Sequence, residues 1–400
     1  MVYEGARAII GPYLATLGAS AALVGVVAGI GEFIGYGLRV GSGYLVQRRG
    51  HYWTWTIAGY GLTVLSVPLI GATHMIAPVL LLYGTERLGK AVRSPAKDTL
   101  LSYASTQTGR GIAFGVHQGM DQIGAVVGPL ILAAVLWHQA GNYRLAFGVL
   151  VAPGVIVMAL LFWLRHRVPD PLVYESSPAA AGSQSSTSPP ESGWPPTVAP
   201  AVPAPASGAL ARGSTGRALS PLVWQYIGTV GLLSLGIASF PLLAYHAQTQ
   251  GLLTSAQVPL VFALAMAVDG LSGLLMGRFY DRRGPRVLLL VPVAAALSAV
   301  AFTGHPSLVW VGVAIWGVVN GVLDSTVKAV VTELVEPAGR SIAFGWLALS
   351  RGIGLLLAGV LLGLAYDQSI ILVVWLIVGI NAVALTALTS VLARYRPPGQ

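Results

Sequence analysis

Apolar runs of about 20 residues, separated by short turns, fill nearly the whole 400-residue chain, and each is long enough to cross a bilayer as a helix. In hydrocarbon every backbone N–H and C=O must find its partner within the protein, so few folds are open to such a chain. Only 9% of its residues are charged, against about 25% in a soluble domain, while 55% are hydrophobic and the mean hydropathy is +0.73. The expected fold class is an all-α membrane protein. Twelve spans are expected, at 1–17, 22–46, 53–71, 76–102, 111–136, 145–164, 221–245, 256–279, 287–303, 307–333, 341–366 and 370–393. The first reaches only about 25 Å as a helix, so either its start lies upstream of Met1, the expectation we favour, or it is a stunted span.

Between the sixth and seventh spans lies a segment rich in Pro, Ser, Ala and Gly, which has too little apolar surface to offset its ordering entropy. The expected organisation is a six-helix bundle at 1–167, a disordered cytoplasmic linker at 168–219 and a second six-helix bundle at 220–400. The net charge of +9 could suggest nucleic acid. Its distribution favours the positive-inside rule instead. Arg48, Arg49, Arg110, Arg165, Arg167, Arg278, Arg282, Arg283, Arg286, Arg340, Arg394 and Arg396 all fall on one side of a twelve-span topology. We therefore expect a multi-pass protein of the cell (inner) membrane, with both termini cytoplasmic and no nucleic-acid partner.

The chain also repeats itself. Gly109-Arg-Gly-Ile-Ala-Phe-Gly115 returns as Gly339-Arg-Ser-Ile-Ala-Phe-Gly345, and Gly43-Tyr-Leu-Val-Gln-Arg-Arg-Gly50 corresponds to Gly277-Arg-Phe-Tyr-Asp-Arg-Arg-Gly284. The offsets are 230 and 234 residues, too long for a solenoid repeat of about 20–50 residues. Duplicated halves around a central site are a transporter plan.

Charges within the spans are uneven. Spans 3, 6, 9 and 12 have none in their interiors and suit lipid. The others hold Glu4 and Arg7; Glu32 and Arg39; Glu86, Arg87, Lys90, Arg93, Lys97 and Asp98; Asp121; Asp269; Asp324 and Lys328; and Arg351. A charge at mid-membrane costs at least about 2.5–3.5 kcal/mol on insertion scales, so these helices should face protein or water. Glu86, Lys90, Arg93 and Lys97 are spaced to share one helical face, with Glu86 and Arg87 about 15 Å deep. Their net positive charge would suit an anionic or zwitterionic solute; Arg93, Lys97 and Asp98 are equally read as snorkelling to the interface. Glu86, Arg87, Lys90, Arg93, Asp324 and Arg351 are the candidate substrate-binding residues. Asp121 is the first candidate for proton coupling, followed by Glu32, Asp269 and Glu4; the competing expectation for Asp121 is a fixed ion pair with an arginine on a neighbouring helix. At repeat-equivalent positions Asp98 corresponds to Lys328 and Asp121 to Arg351, so the duplicated site is electrostatically asymmetric.

Enzyme chemistry finds little support. Without cysteine there are no disulfides, thiolate metal sites or cysteine nucleophiles. HExxH, GxSxG and the Walker A pattern are absent, and Ser325-Thr-Val-Lys328 spells SxxK without its companion signatures. We expect no enzyme activity, no cofactor and no metal.

Twelve spans in two halves, with a G-x-x-x-D-R-x-G loop after spans 2 and 8, resemble the major facilitator superfamily. The second loop, with Gly277, Asp281, Arg282 and Gly284, fits the family motif; the first keeps Gly43, Arg48 and Gly50 but has Gln47 where the family usually has Asp. The resemblance implies that these eight positions form the gating loops, the acid taking part in a cytoplasmic latch between helices. It also implies two pseudo-symmetric bundles that rock around a central cavity lined by helices 1, 4, 7 and 10, with 2, 5, 8 and 11 flanking. Span 7 offers that cavity only uncharged groups such as Gln225, Tyr226 and Ser234. Gly124-Ala-Val-Val-Gly128-Pro129 is similar to the start of the antiporter motif on span 5, which suggests export. The function expected is secondary active, proton-coupled transport of a small organic solute by a monomer in the lipid bilayer. The alternative is a non-transporting sensor or assembly factor of the same fold.

Overall fold

The computed structural model describes residues 1–104, 110–170, 219–336 and 339–395. The start of the first repeat at Gly109 and nearly all of the expected linker lie outside these residues. The described residues form helices and turns only: α1 (Val2–Thr16), α2 (Ala21–Arg49), α3 (Tyr52–Ala72), α4 (Ile76–Ala104), α5 (Arg110–His138), α6 (Tyr143–Val149), α7 (Val151–Arg167), α8 (Pro221–Leu235), α9 (Phe240–Thr249), α10 (Gln257–Arg283), α11 (Leu290–Ser298), α12 (Pro306–Leu334), α13 (Arg340–Gln368) and α14 (Ile370–Arg394). Tight 3-10 turns at Gly284–Leu289 and Ala299–Phe302 flank α11.

Three expected spans are interrupted. The sixth is α6 and α7, meeting at Leu150; the seventh is α8 and α9; the ninth is α11 with its 3-10 turns. Nine segments among the described residues are long and apolar enough to cross a membrane, one of them being Gln257–Phe302, whose 46 residues hold two expected spans. A helix of that length would reach about 69 Å, twice the hydrocarbon thickness. At 15 residues α1 is too short for that criterion, and α4 carries too many charges.

Local chemistry sets the ends. Ser20 Oγ accepts from the Leu23 N–H at 3.2 Å to start α2, and Ser220 Oγ accepts from Val223 at 3.4 Å to start α8, with Pro221 filling the first helical position. Gly50 and Gly284 stop α2 and α10 at φ +73° and +63°, with ψ values that L side chains avoid. These two glycines end both copies of the repeated loop, which gives that loop a backbone reason to keep them.

The break in the seventh span exposes carbonyls where no water is expected. Asn381 Nδ2 donates to the Gly236 carbonyl at 2.8 Å, and Trp316 Nε1 donates to the Ala238 carbonyl at 2.9 Å. Both side chains are buried, so neighbouring helices α14 and α12 complete the hydrogen bonding of the broken one.

Arginines occupy the last turns of α2, α7, α10 and α14 and the first residue of α13, so they gather at one end of the antiparallel helices. The opposite end is closed by α2 against α13. Gly25 and Gly359 meet backbone to backbone, each so near the other's carbonyl that a Cβ at either position would collide with it. One turn beyond, Asp367 at the end of α13 accepts from the Ala21 and Ala22 N–H groups at 3.0 and 3.1 Å. Its carboxylate thus caps the positive N-terminus of α2. Tyr245 Oη adds a bond to the Ala19 carbonyl at 3.1 Å.

The Asp367 cap should hold this end shut. Asp367→Asn removes a charge-assisted pair of bonds, so a cysteine placed at Tyr36, behind the seal, should react about tenfold faster with a membrane-impermeant maleimide added from the Asp367 side. The chain's lack of native cysteine makes that label specific. An unchanged rate would assign closure to the glycine seam alone.

Candidate functional site

Midway along the bundle, α1, α2 and α4 bring their charges together. Arg87 of α4, 1% exposed, is the hub. One guanidinium nitrogen, Nη1, lies 3.5 Å from Glu32 Oε1 and donates to Tyr3 Oη at 2.9 Å; Nε lies 3.1 Å from Glu86 Oε2. The Tyr3 and Tyr83 rings flank the guanidinium carbon at 4.6 and 4.7 Å, adding cation–π attraction. Arg7 of α1 reaches the same Glu32 oxygen at 3.2 Å and Glu4 at 3.9 Å, and faces the Trp316 ring of α12 at 5.8 Å. Glu32 is therefore shared between two guanidinium groups.

From the other half come Asp324 of α12 and Arg351 of α13, hydrogen-bonded at 2.6 Å. Tyr36 of α2 stacks on Arg351 at 5.0 Å and on Arg39 at 5.7 Å, joining this pair to the first cluster. The Asp324 side chain is 57% exposed although it sits deep within its helix, while Arg351 is buried. Such exposure of an ionised pair at depth indicates a water-accessible cavity between the halves.

The expected binding residues divide accordingly. Arg87, Asp324 and Arg351 belong to this central cluster, and Lys90 joins it with its ammonium 3.6 Å from the centre of the Tyr3 ring. Glu86 is fully buried beside Arg87, and neither of its oxygens accepts a hydrogen bond. Arg93 turns away: it donates to Thr63 Oγ1 of α3 at 2.6 Å and lies over the Tyr60 ring at 4.4 Å. Glu86, Lys90, Arg93 and Lys97 share one face of α4, yet their long side chains choose different neighbours. Lys97 Nζ bonds His117 Nε2 of α5 at 2.8 Å, with Asp98 3.6 Å away.

Among the candidate proton carriers, Glu32 and Glu4 are engaged by Arg7. Asp269 of α10 is half-buried and has no ion-pair partner within 4 Å among the described residues. It lies within electrostatic reach of Glu4, Arg7, Asp324 and Arg351. Asp121 is exposed on α5, near the Met1 end of α1, and has no such partner either. At the loops, Gln47, Arg48, Asp281 and Arg282 are exposed, and Gly43 and Gly277 lie within α2 and α10. Asp281 forms no ion pair among the described residues.

The span-7 polar groups do not reach the cavity as expected. Tyr226 is buried and donates to the Val327 carbonyl at 2.9 Å, Ser234 Oγ bonds within its own helix, and Gln225 accepts from Arg394 at 3.0 Å. Several contributors escaped sequence reasoning: the rings of Tyr3, Tyr36, Tyr83 and Trp316, and a buried stripe of Thr56, Thr63 and Ser66 by which α3 meets α4. That stripe recurs at helical spacing, so it was visible as periodicity although not as charge.

Arg87 should be the most costly charge to remove. Arg87→Met leaves Glu86 buried without its cation, for a loss of about 3–5 kcal/mol. Arg93→Met breaks one bond to a hydroxyl and should cost less. Thermal unfolding in detergent tests the order; equal losses would mean that Arg87 is not the hub.

Relatives place the chain. The Major Facilitator Superfamily profile matches residues 1–291 and 226–400. An uncharacterized protein of Mycobacterium tuberculosis is 41% identical over 392 residues, covering 98% of this chain and 89% of its own length. Among solved structures, the nucleoside transporter NupG superposes with a TM-score of 0.72 at 14% identity, covering 98% of this chain and 96% of its own. A bacterial homolog of the human lysosomal transporter Spinster gives 0.66 at 16% identity, with 98% and 94% coverage. At such identities these likenesses speak for the fold, whereas the profile spans nearly all of the sequence. The chain belongs to the Major Facilitator Superfamily.

Proposed function

We propose that the protein is a secondary active transporter that moves a small organic solute by alternating access. The observation that carries this is the central cluster: ionised side chains from α1, α2, α4, α12 and α13 meet at mid-depth, and Asp324 remains exposed there. A bundle with only a scaffolding role would gain nothing from placing open charges in hydrocarbon. On this proposal, residues 1–167 and 220–400 rock as two bodies about the cluster, and 168–219 tethers them. The arginine-rich end faces the cytoplasm of a cell whose inner membrane holds the protein as a monomer.

The state captured is closed at the Asp367 end by the α2–α13 seam. At the arginine-rich end, the exposed Asp281 and Arg282 leave the loop latch unengaged. Both features suit an inward-facing conformer. The Gly124–Pro129 pattern on α5 favours export.

Protons supply the coupling in this proposal, with Asp269 as carrier. Its competitors Glu4 and Glu32 each already face Arg7, whereas Asp269 has no cation within ion-pair distance and can exchange a proton without breaking a bridge. The charged groups around it are Glu4 and Arg7 on α1, Asp324 on α12 and Arg351 on α13.

Proteoliposomes with an imposed pH gradient test both parts. Asp269→Asn should abolish gradient-driven accumulation while leaving solute counterflow. Retained gradient dependence would move the role to Asp121. If the folded wild-type protein moves no solute across a broad panel, transport itself falls and a sensor or assembly role replaces it.

A further inference from the structure

We infer that the transported solute is an organic dianion, seated between Lys90, Arg39 and Lys328. The inference rests on the transporter proposal and names its substrate class. It starts from charge accounting in the cavity. Glu4, Glu32, Glu86 and Asp324 each face a guanidinium of Arg7, Arg87 or Arg351 within 4 Å. The cations Lys90, Arg39 and Lys328 have no carboxylate within that distance among the described residues. Arg39 lies within electrostatic reach of both lysines, so the three like charges act on one another.

Their placement suits a ligand that passes through. Lys90 on α4 is half-buried on the Tyr3 ring, Arg39 on α2 is half-buried over Tyr36, and Lys328 on α12 is exposed one turn beyond Asp324. Two come from the first half of the chain and one from the second, so an anion held by all three bridges the parts that move. Arg39 Nε is buried and donates to nothing; the same is true of Arg351 Nε, whose guanidinium also faces the Tyr36 ring. These donors await an acceptor that the protein does not supply. Two lysines offer point charges and an arginine offers a planar fork, a combination that fits a phosphate monoester or a dicarboxylate. Six cations stand here against four carboxylates, Asp269 apart, so a neutral solute would leave an excess of two positive charges within the membrane, and a cationic one would add a third.

An anionic lipid headgroup shares the phosphate chemistry, so the test must separate the two. Purified protein in neutral phosphatidylcholine nanodiscs is heated with inorganic phosphate, a phosphate-monoester series or succinate, beside glycerol and succinamide as uncharged controls. At least one dianion should raise the unfolding midpoint, and salt should weaken the effect. Lys90→Gln and Lys328→Gln should each weaken the apparent affinity about tenfold, whereas Lys328→Arg should retain it. Lys328 is exposed, so its replacement should leave the fold intact. No shift with any dianion, or a shift that persists unchanged in both glutamine variants, overturns the inference. So does a shift produced only by phosphatidylglycerol nanodiscs, which would assign the cations to lipid. Counterflow separates this from failure of the transport proposal: movement of a neutral solute sinks the dianion alone, while dianion binding without movement of any solute sinks transport alone.

Discussion

Arg87 cannot be placed near the middle of a membrane without partners, and the partners it needs come from three helices. Its guanidinium takes Glu32 from α2, Glu86 from its own helix, and the Tyr3 ring and hydroxyl from α1. Each contact is short, so α1, α2 and α4 are fixed relative to one another by the demand for neutralisation. Apolar packing alone could not do this, because lipid tails compete on equal terms with leucine for every apolar face. The central cluster therefore orders the helices that surround it.

The same logic separates rigid from movable parts. Within each half, charges close on one another: Arg7 with Glu32, Arg87 with Glu86, Arg351 with Asp324. Between the halves the polar contacts are softer at the centre, and the hydrogen bonds lie at one end. Tyr36 meets Arg351 through a ring face at 5.0 Å, and the backbone seam of Gly25 and Gly359 is locked by the Asp367 cap. A ring sliding over a guanidinium loses little as it moves, while a carboxylate leaving a helix N-terminus loses two hydrogen bonds. Strong bonds at one end and yielding ones at the centre are what the proposed rocking of two bodies would require.

Much of this could be read from the sequence, for reasons that differ by residue. The membrane class, the duplicated loops and the charge-free spans follow from composition and periodicity, which bilayer physics constrains tightly. That the helices bearing Arg7, Glu32 and Arg87 should face protein or water was legible too, since each charge had to avoid lipid. Partner choice was not. Arg93 sits at the spacing of Glu86 and Lys90, yet it bonds Thr63 on α3, because a side chain about 6 Å long can reach either of two neighbours. Glu32 is one of the proton-coupling candidates that follow Asp121, and nothing local reveals that two arginines from separate helices share it. The role of Asp367 depends on the N-terminus of α2, 345 residues away, so nothing near it in the sequence points to it. Gly25 and Gly29 spell the same small-residue spacing as Gly359 and Gly363, so the α2–α13 seam was present in the sequence and needed only to be matched across the halves.

The breaks in the spans follow a rule that hydropathy does not express. An interrupted helix in a membrane survives only where other side chains satisfy its freed carbonyls. At Gly236 and Ala238 those side chains are Asn381 and Trp316. Asn381 stands among apolar residues in the middle of α14, so a helix suited to lipid on one face still serves the interior with a single amide. Trp316 also presents its ring to Arg7, so the residue that closes the break in α8 and α9 touches the central charge cluster as well. Any shift of Arg7 against α12 would thus be felt at the one place where the seventh span is already unwound. The broken span and the charge cluster are mechanically joined through that indole.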